Sequence, residues 1–136
     1  MRAFICEVMP MEVLILTGIT RRTLDQLLRN PYRTLEIRSA SNVLVLEHLR
    51  EGDRVFLTYE TLQDITKGTE GIIAKILRME KMEQRILWEE SDEREQMVCR
   101  VQLRLVGLGK VIEIKREGDL IKARVREMLP HEMAMG

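Results

Sequence analysis

The sequence has few aromatic residues, no net charge and no long apolar run. One tryptophan, two tyrosines and two phenylalanines make up 4% of the chain, which disfavours a module that stacks several bases on aromatic rings. Lys plus Arg and Asp plus Glu number 22 each, so a bulk polycation, the simplest nucleic-acid binder, is excluded. No run of about 18 apolar residues is present, so no transmembrane helix and no membrane partner are expected.

Cysteine and histidine are equally scarce. Cys6 and Cys99 are too few and too far apart for a disulfide framework, and their apolar surroundings predict buried free thiols. His48 and His131 belong to neither a CxxC nor an HxxxH pattern, so no metal site and no cofactor are expected. Glu7 and other acidic residues interrupt the apolar N-terminal stretch, so no signal peptide is predicted and a cytoplasmic location is expected.

The composition is that of one folded domain. The chain has 136 residues, of which 45% are hydrophobic and 32% charged, and no linker or repeat divides it. We therefore expect a single domain over 1–136. Residues 1–10 are either an extension before an alternative start at Met11 or contain a real strand over 3–8, and 127–136 form a methionine-rich tail.

Apolar periodicity predicts alternating strands and helices in the first half. Thr20 is a suitable N-cap for a first helix that ends at Asn30-Pro31, and Ser41 for a second that ends near Leu49. Strands are predicted over 13–17, 33–38 and 53–59.

The second half reads as strands at short spacing. Gly107 and Gly109 are expected to break one strand, and 117–119 to form a hairpin turn. Residues 78–88 allow a strand hairpin or a short helix, and 89–95 are expected to be an exposed, mobile acidic turn. The other predicted strands are 72–77, 99–105, 111–114 and 121–126. The order predicts an α+β domain, a small, mostly antiparallel β-barrel with two short flanking helices.

Charge is unevenly distributed along the chain. Residues 60–95 carry 6 basic and 10 acidic side chains, a net −4, whereas 96–126 carry 8 basic and 3 acidic, a net +5. Strand alternation places two groups of cations each on one face, and adjacent strands would join them into a phosphate-binding stripe. The alternative is a solvated face balanced by Glu113 and Glu117. The two groups are Arg100 with Arg104, and Lys122 with Arg124 and Arg126.

Two further segments are candidates for a binding site. In the strand over 33–38, Glu36 and Arg38 share a face and Arg33 lies on the other, which predicts an ion pair either at a pocket lip or on a plain surface. The loop over 64–71, which contains Lys67 and Thr69, either presents backbone N–H groups to an anion or is an ordinary turn. It lacks the P-loop spacing.

Three blocks of the sequence carry a family resemblance. LTGITRRTLDQLLRNPYRTLEIRSASN, GDRVFLT and DITKGTEGIIAKI resemble the archaeal domain-of-unknown-function family 473 over roughly residues 11–126. The family implies no activity, and its members tend to begin near Met11.

A wider resemblance rests on the pattern basic-Thr-hydrophobic-Glu-hydrophobic-Arg followed by Gly-Asp-Arg-Val. This pattern is similar to the PUA-like and ASCH superfamily of small barrels, many of which bind RNA or modified bases. The resemblance implies that Arg33, Glu36 and Arg38 border the cleft. One branch hydrolyses an acetylated cytidine with a Lys, a Thr and a Glu. Here Arg33 and Glu36 replace the first two, and a permanently protonated Arg does not serve as a base.

Three functional hypotheses follow. The first is a non-catalytic PUA-like module that binds RNA or a nucleotide through Arg33, Arg38 and the basic strands. The second is an enzyme on a modified nucleoside, which needs Glu36 in a cleft as general base beside a hydroxyl. The hydroxyl candidates are Thr34, Thr58 and Thr69. The third is a homodimeric interaction protein whose adaptable surface includes Met128, Met133 and Met135.

Overall fold

The computed structural model describes residues 10–87 and 93–128. The predicted strand over 3–8, Cys6, the tip of the acidic turn and the tail beyond 128 lie outside these residues. In chain order the elements are β1 (Met11–Leu16), α1 (Arg21–Arg29), β2 (Tyr32–Ile37), α2 (Ala40–Glu47), β3 (Arg54–Leu57), β4 (Glu70–Leu87), β5 (Glu93–Glu117) and β6 (Leu120–Met128). Neither helix of this part of the chain is long and apolar enough to cross a membrane.

The helix starts follow from hydroxyl caps. The Thr20 side chain accepts a hydrogen bond from the Thr23 amide at 3.2 Å, so the predicted cap of α1 is confirmed. For α2 the predicted cap is wrong, because Ser39 rather than Ser41 accepts from the Asn42 amide. Ser39 has the extended backbone that an N-cap needs, whereas Ser41 already lies inside the helix.

The second half forms longer strands than predicted. β4 has 18 residues and β5 has 25, so the segment 78–87 is strand and not helix. The expected break at Gly107 and Gly109 is wrong, since β5 runs through both and pairs with β4 at each of them. The predicted hairpin turn is confirmed: β5 ends at Glu117, β6 begins at Leu120, and Gly118 has the positive φ of 59° that such a turn uses.

All six strands join one sheet in the order β2-β5-β4-β3-β1-β6. β1 and β3 are parallel and the other pairs are antiparallel. β6 pairs with β1 on one side and with the C-terminal half of β5 on the other, so hydrogen bonding runs in a ring through β5, β4, β3, β1 and β6. The α+β class is therefore confirmed, with a six-stranded sheet and two helices.

The two faces of the sheet bury different cores. The helix face carries Leu16, Val55 and Ile72 and is covered by leucines and valines of α1 and α2. The opposite face, here called the strand face, carries Phe56 and Ile73 and packs against residues of its own curled sheet. The other members of the strand-face core are Val13, Ile15, Ile65, Val111, Ile121, Ala123 and Val125.

Two β-bulges interrupt the pairing of β4 with β5. One lies between the pairs Ile73–Gly107 and Ala74–Leu105, and leaves Val106 as the extra residue on β5. The other lies between the pairs Ile76–Leu103 and Arg78–Gln102, and leaves Leu77 as the extra residue on β4. Bulges of this kind change the local twist and re-aim nearby side chains. The pair Lys75–Arg104 stands midway between the two bulges.

Candidate functional site

Three cations lie side by side across three neighbouring strands. Lys75 of β4 is directly opposite Arg54 of β3 on one side and Arg104 of β5 on the other. Lys75 is two residues from Ile73 along β4, so this group, here called the cationic row, lies on the strand face. Tyr32 of β2 extends the row beyond Arg104, and its side chain is 56% exposed.

The cationic row has no acidic partner among the described residues. None of the ion pairs in that part of the chain includes Arg54, Lys75 or Arg104. The Nε atom of Arg104 is buried without a hydrogen-bond partner there, and the Nη1 atom of Arg54 donates to the Met11 sulfur at 3.8 Å. Because like charges directly opposite each other destabilise a sheet, the row is a local conflict of the sort that functional sites retain.

The charge changes sign farther along the same face. Arg78 lies opposite Gln102 and adds a fourth cation next to the row. One step beyond, Arg100 lies between two glutamates, Glu80 of β4 and Glu36 of β2. The positive potential is therefore concentrated at the row and falls off toward the β4–β5 hairpin.

The predicted ion pair on β2 is present on this face. Arg38 donates to a carboxylate oxygen of Glu36 at 2.9 Å, and their side chains are 47% and 40% exposed. Arg33, by contrast, lies opposite Leu103 on the helix face, where its Nε is buried without a hydrogen-bond partner among the described residues. The structure therefore separates Arg33 from the Glu36–Arg38 pair and does not gather all three at one cleft.

The basic residues of β6 lie on the other side of the sheet from Arg104. Lys122 is directly opposite Leu14, a member of the helix-face core, so alternation puts Arg124 and Arg126 on that face too. The single-stripe alternative is therefore wrong, because alternation and the bulge at Val106 assign the two basic groups to opposite faces. Lys122 pairs with Glu117 and Arg124 with Glu113, each at 3.3 Å, as the solvated-face alternative predicts.

The loop before β4 forms an ordinary turn. The Thr69 hydroxyl accepts from the Thr66 amide at 3.0 Å, and the Gly68 and Thr69 amides donate to the carbonyls of Val111 and Thr66. These amides are thus already hydrogen-bonded within the protein. Lys67 and Thr69 instead line a groove beside α1 that contains more carboxylates than cations, namely Asp25, Glu60, Asp64 and Glu70 against Arg21 and Lys67.

The hydroxyls proposed as nucleophiles are distributed over separate places. The buried Thr58 hydroxyl donates to the Glu70 carbonyl at 3.1 Å, and the Thr69 hydroxyl belongs to the turn. Thr34 shares the strand face with Glu36, but Glu36 is exposed and paired with Arg38. The enzyme hypothesis needs Glu36 in a cleft, and the structure places it on an open surface.

The sequence analysis missed Arg54 and Lys75 as site residues. Arg54 lies in the quoted GDRV block and Lys75 in a predicted strand. Only the cross-strand register, which no local pattern encodes, shows that they face Arg104. Glu127 falls in the segment expected to be a tail, yet it belongs to β6.

The comparisons with known proteins agree with the family resemblance that the three sequence blocks carry. The model of the family described as protein of unknown function DUF473 matches residues 11–125, which is most of the chain. The chain belongs to the DUF473 family. A relative, the uncharacterised protein MJ0105 of Methanocaldococcus jannaschii, is 32% identical over 103 residues. That match covers 76% of this chain and 66% of the relative, slightly less than two thirds of its length.

A solved structure shows a similar fold. The N-terminal domain of a Lon protease from the Mycobacterium avium complex superposes with a TM-score of 0.51 at 15% sequence identity. The similarity covers 92% of this DUF473 chain and 59% of that chain. At this identity the likeness concerns the fold alone.

Proposed function

We propose that this DUF473 protein is a non-catalytic module that binds single-stranded RNA on its strand face, with the cationic row holding backbone phosphate. One observation carries the proposal: Arg54, Lys75 and Arg104 lie directly opposite one another with no acidic partner among the described residues. A phosphate between them would relieve their repulsion, and guanidinium groups grip phosphate with paired hydrogen bonds.

The neighbouring residues fit a single strand better than a duplex. Tyr32 is exposed at the end of the row, next to Arg104. Aromatic rings beside cations serve as stacking platforms for unpaired bases, whereas a duplex hides its base faces. Arg78 would add one more phosphate contact along the same face.

We infer further that the sheet is a PUA-like barrel. The closed ring of pairing through β5, β4, β3, β1 and β6 supports this interpretation, as does the enclosed strand-face core. In this arrangement the cationic row lies where the strand-face core gives way to exposed side chains. Arg54 is exposed, and Lys75 and Arg104 are half-buried. The row would then form part of the rim of the barrel.

A salt titration of RNA binding tests the proposal. Fluorescence anisotropy with a labelled single-stranded RNA 12-mer of mixed sequence should give affinity that falls steeply between 50 and 200 mM salt. Three phosphate contacts correspond to a slope of about −2 in log K against log salt concentration. The double variant Lys75→Met/Arg104→Met should bind at least about tenfold more weakly at 50 mM salt, because it removes two of these contacts.

A matched control separates this face from net charge. Lys122→Met/Arg124→Met removes the same two charges from the helix face, where both are ion-paired. It should bind within about threefold of the wild type, since surface pairs contribute little. Absence of salt-sensitive RNA binding, or an equal loss in both double variants, would refute the proposal. Far-UV circular dichroism of each variant checks that it is folded.

A further inference from the structure

The Glu127 carboxylate lies over the backbone of β5 at Gly107, where an added Cβ atom would displace it. A Cβ atom on Gly107 would stand 2.5 Å from the Oε1 atom of Glu127, closer than such atoms approach. Gly107 is directly opposite Ile73 in β4, and Ile73 belongs to the strand-face core. The Glu127 carboxylate therefore lies over the strand face, the same face as the cationic row.

The Glu127 carboxylate lies over the pair Ile73–Gly107, which is the next pair on the strand face after Lys75–Arg104. Ile73 and Lys75 are two residues apart on β4, which corresponds to about 7 Å along a strand. Glu127 nevertheless has no ion pair or hydrogen bond within the described part of the chain, and it is half-buried. A partly desolvated carboxylate without a partner has a free-energy cost that a hydrogen-bond donor would offset.

The cationic row, which would hold a phosphate, lies close to the Glu127 carboxylate, which can accept a hydrogen bond. This combination indicates which base fits. We infer that Glu127 accepts a hydrogen bond from the amino group of a base whose phosphate is held by Lys75 and Arg104, so that the protein prefers cytosine to uracil. Cytosine presents a 4-amino donor where uracil presents a carbonyl oxygen, and a carboxylate accepts from the first and repels the second. The inference rests on the proposed RNA binding and adds its base preference.

Two homopolymers whose bases differ at the 4-position, and at N3, which is an acceptor in cytosine and an N–H donor in uracil, test the inference. Anisotropy titrations with labelled oligo(C) and oligo(U) RNA 12-mers at pH 7.5 and 50 mM salt should show about tenfold tighter binding of oligo(C). Glu127→Gln should bring the two affinities within about twofold, because a Gln amide both accepts and donates. Gly107→Ala, which displaces the carboxylate, should reduce the preference in the same direction.

A control variant and the binding of the wild type distinguish failure of the base preference from failure of the proposed RNA binding. Glu113→Gln removes a carboxylate of the helix face that is paired with Arg124, and it should leave the preference unchanged. Equal affinity of the wild type for both RNAs, with binding still dependent on Lys75 and Arg104, would overturn the base preference and leave the proposed function standing. A preference that survives in folded Glu127→Gln would also overturn it. Failure of the wild type to bind either RNA would refute both proposals.

Discussion

Replacing Lys75 by methionine should make the protein more stable while weakening anion binding. Methionine keeps most of the apolar stem of lysine and removes its charge. Lys75 lies directly between Arg54 and Arg104 and has no ion pair within the described residues, so its charge experiences repulsion from both sides. Removal of that charge relieves two unfavourable interactions, loses one favourable interaction with the Glu127 carboxylate about 7 Å away on the same face, and breaks no ion pair seen in this part of the structure.

The expected gain is worked out from the strand spacing. Directly opposite side chains have Cβ atoms about 5 Å apart, and long cationic side chains can spread to about 7 Å between charges. At that distance each pair repels by about 0.6 kcal/mol in water, so two pairs amount to about 1.2 kcal/mol, of which the attraction of Lys75 to Glu127 at a similar distance offsets about half at low salt. Screening at physiological ionic strength, with a Debye length of about 8 Å, reduces the remaining gain to about 0.2 kcal/mol.

Urea denaturation followed by far-UV circular dichroism measures this difference, because urea adds no ionic strength. The matched control is Lys122→Met, which removes a lysine whose Nζ atom lies 3.3 Å from the Oε1 atom of Glu117. The control should lose between zero and about 0.5 kcal/mol of unfolding free energy, opposite in sign to the gain of Lys75→Met. A Lys75→Met protein that is no more stable than wild type at 20 mM salt would refute the argument for a repulsive row.

Two other predictions concern the core. Gly71→Ala should lower the unfolding free energy by about 2 kcal/mol or more in urea titrations, because the added Cβ would collide with the Leu57 carbonyl oxygen and lie 2.7 Å from the Phe56 ring. An unchanged urea midpoint would contradict this packing. Burial raises the pKa of the Cys99 thiol above its ordinary 9.0, although the charge of Lys81 lowers it in part. The thiol therefore ionises more readily in the unfolded chain, and stability should fall as the pH rises above about 9. The fall in urea-measured unfolding free energy between pH 8 and pH 10 should be smaller in Cys99→Val, and an equal fall would contradict the assignment.

The first half of the fold was predictable because its signals are local. A hydroxyl cap, one apolar face and an Asn-Pro stop lie within a dozen residues of one another in α1. The wrong cap of α2, Ser41 in place of Ser39, arose because both serines are good caps and the choice depends on backbone angles. Such a choice shifts a helix end without changing the fold.

The second half was less predictable because its glycines are explained by distant residues. Gly109 looks like a strand breaker in the sequence. In the structure a side chain there would meet Val125 of β6 and Ile73 of β4, so glycine is what lets three strands approach closely. Gly107 makes room for Glu127 in the same way. Neither contact has a signal within the local sequence.

The bulge at Val106 explains why simple alternation misassigned the charged face. Leu105 and Gly107 are two residues apart, and plain alternation would put them on one face. Because Val106 is an extra residue, Leu105 packs against the helix-face core while Gly107 lies opposite Ile73 on the strand face. A one-residue change of register reverses the direction of every later side chain. Arg104 and Arg126 consequently lie on opposite faces, although both are even-numbered residues of strands paired with each other.

The same reasoning shows why a net charge of zero does not bear on binding at this site. Ion pairs on the helix face neutralise Lys122 and Arg124 locally through Glu117 and Glu113. On the strand face no such pair includes Arg54, Lys75 or Arg104 in the described residues, so an equal count of charges over the whole chain coexists with an unbalanced row. What a ligand experiences within a Debye length of about 8 Å is the row and not the sum. Electrostatic arguments from composition therefore hold for bulk polycations, and a compact cationic site requires the strand register.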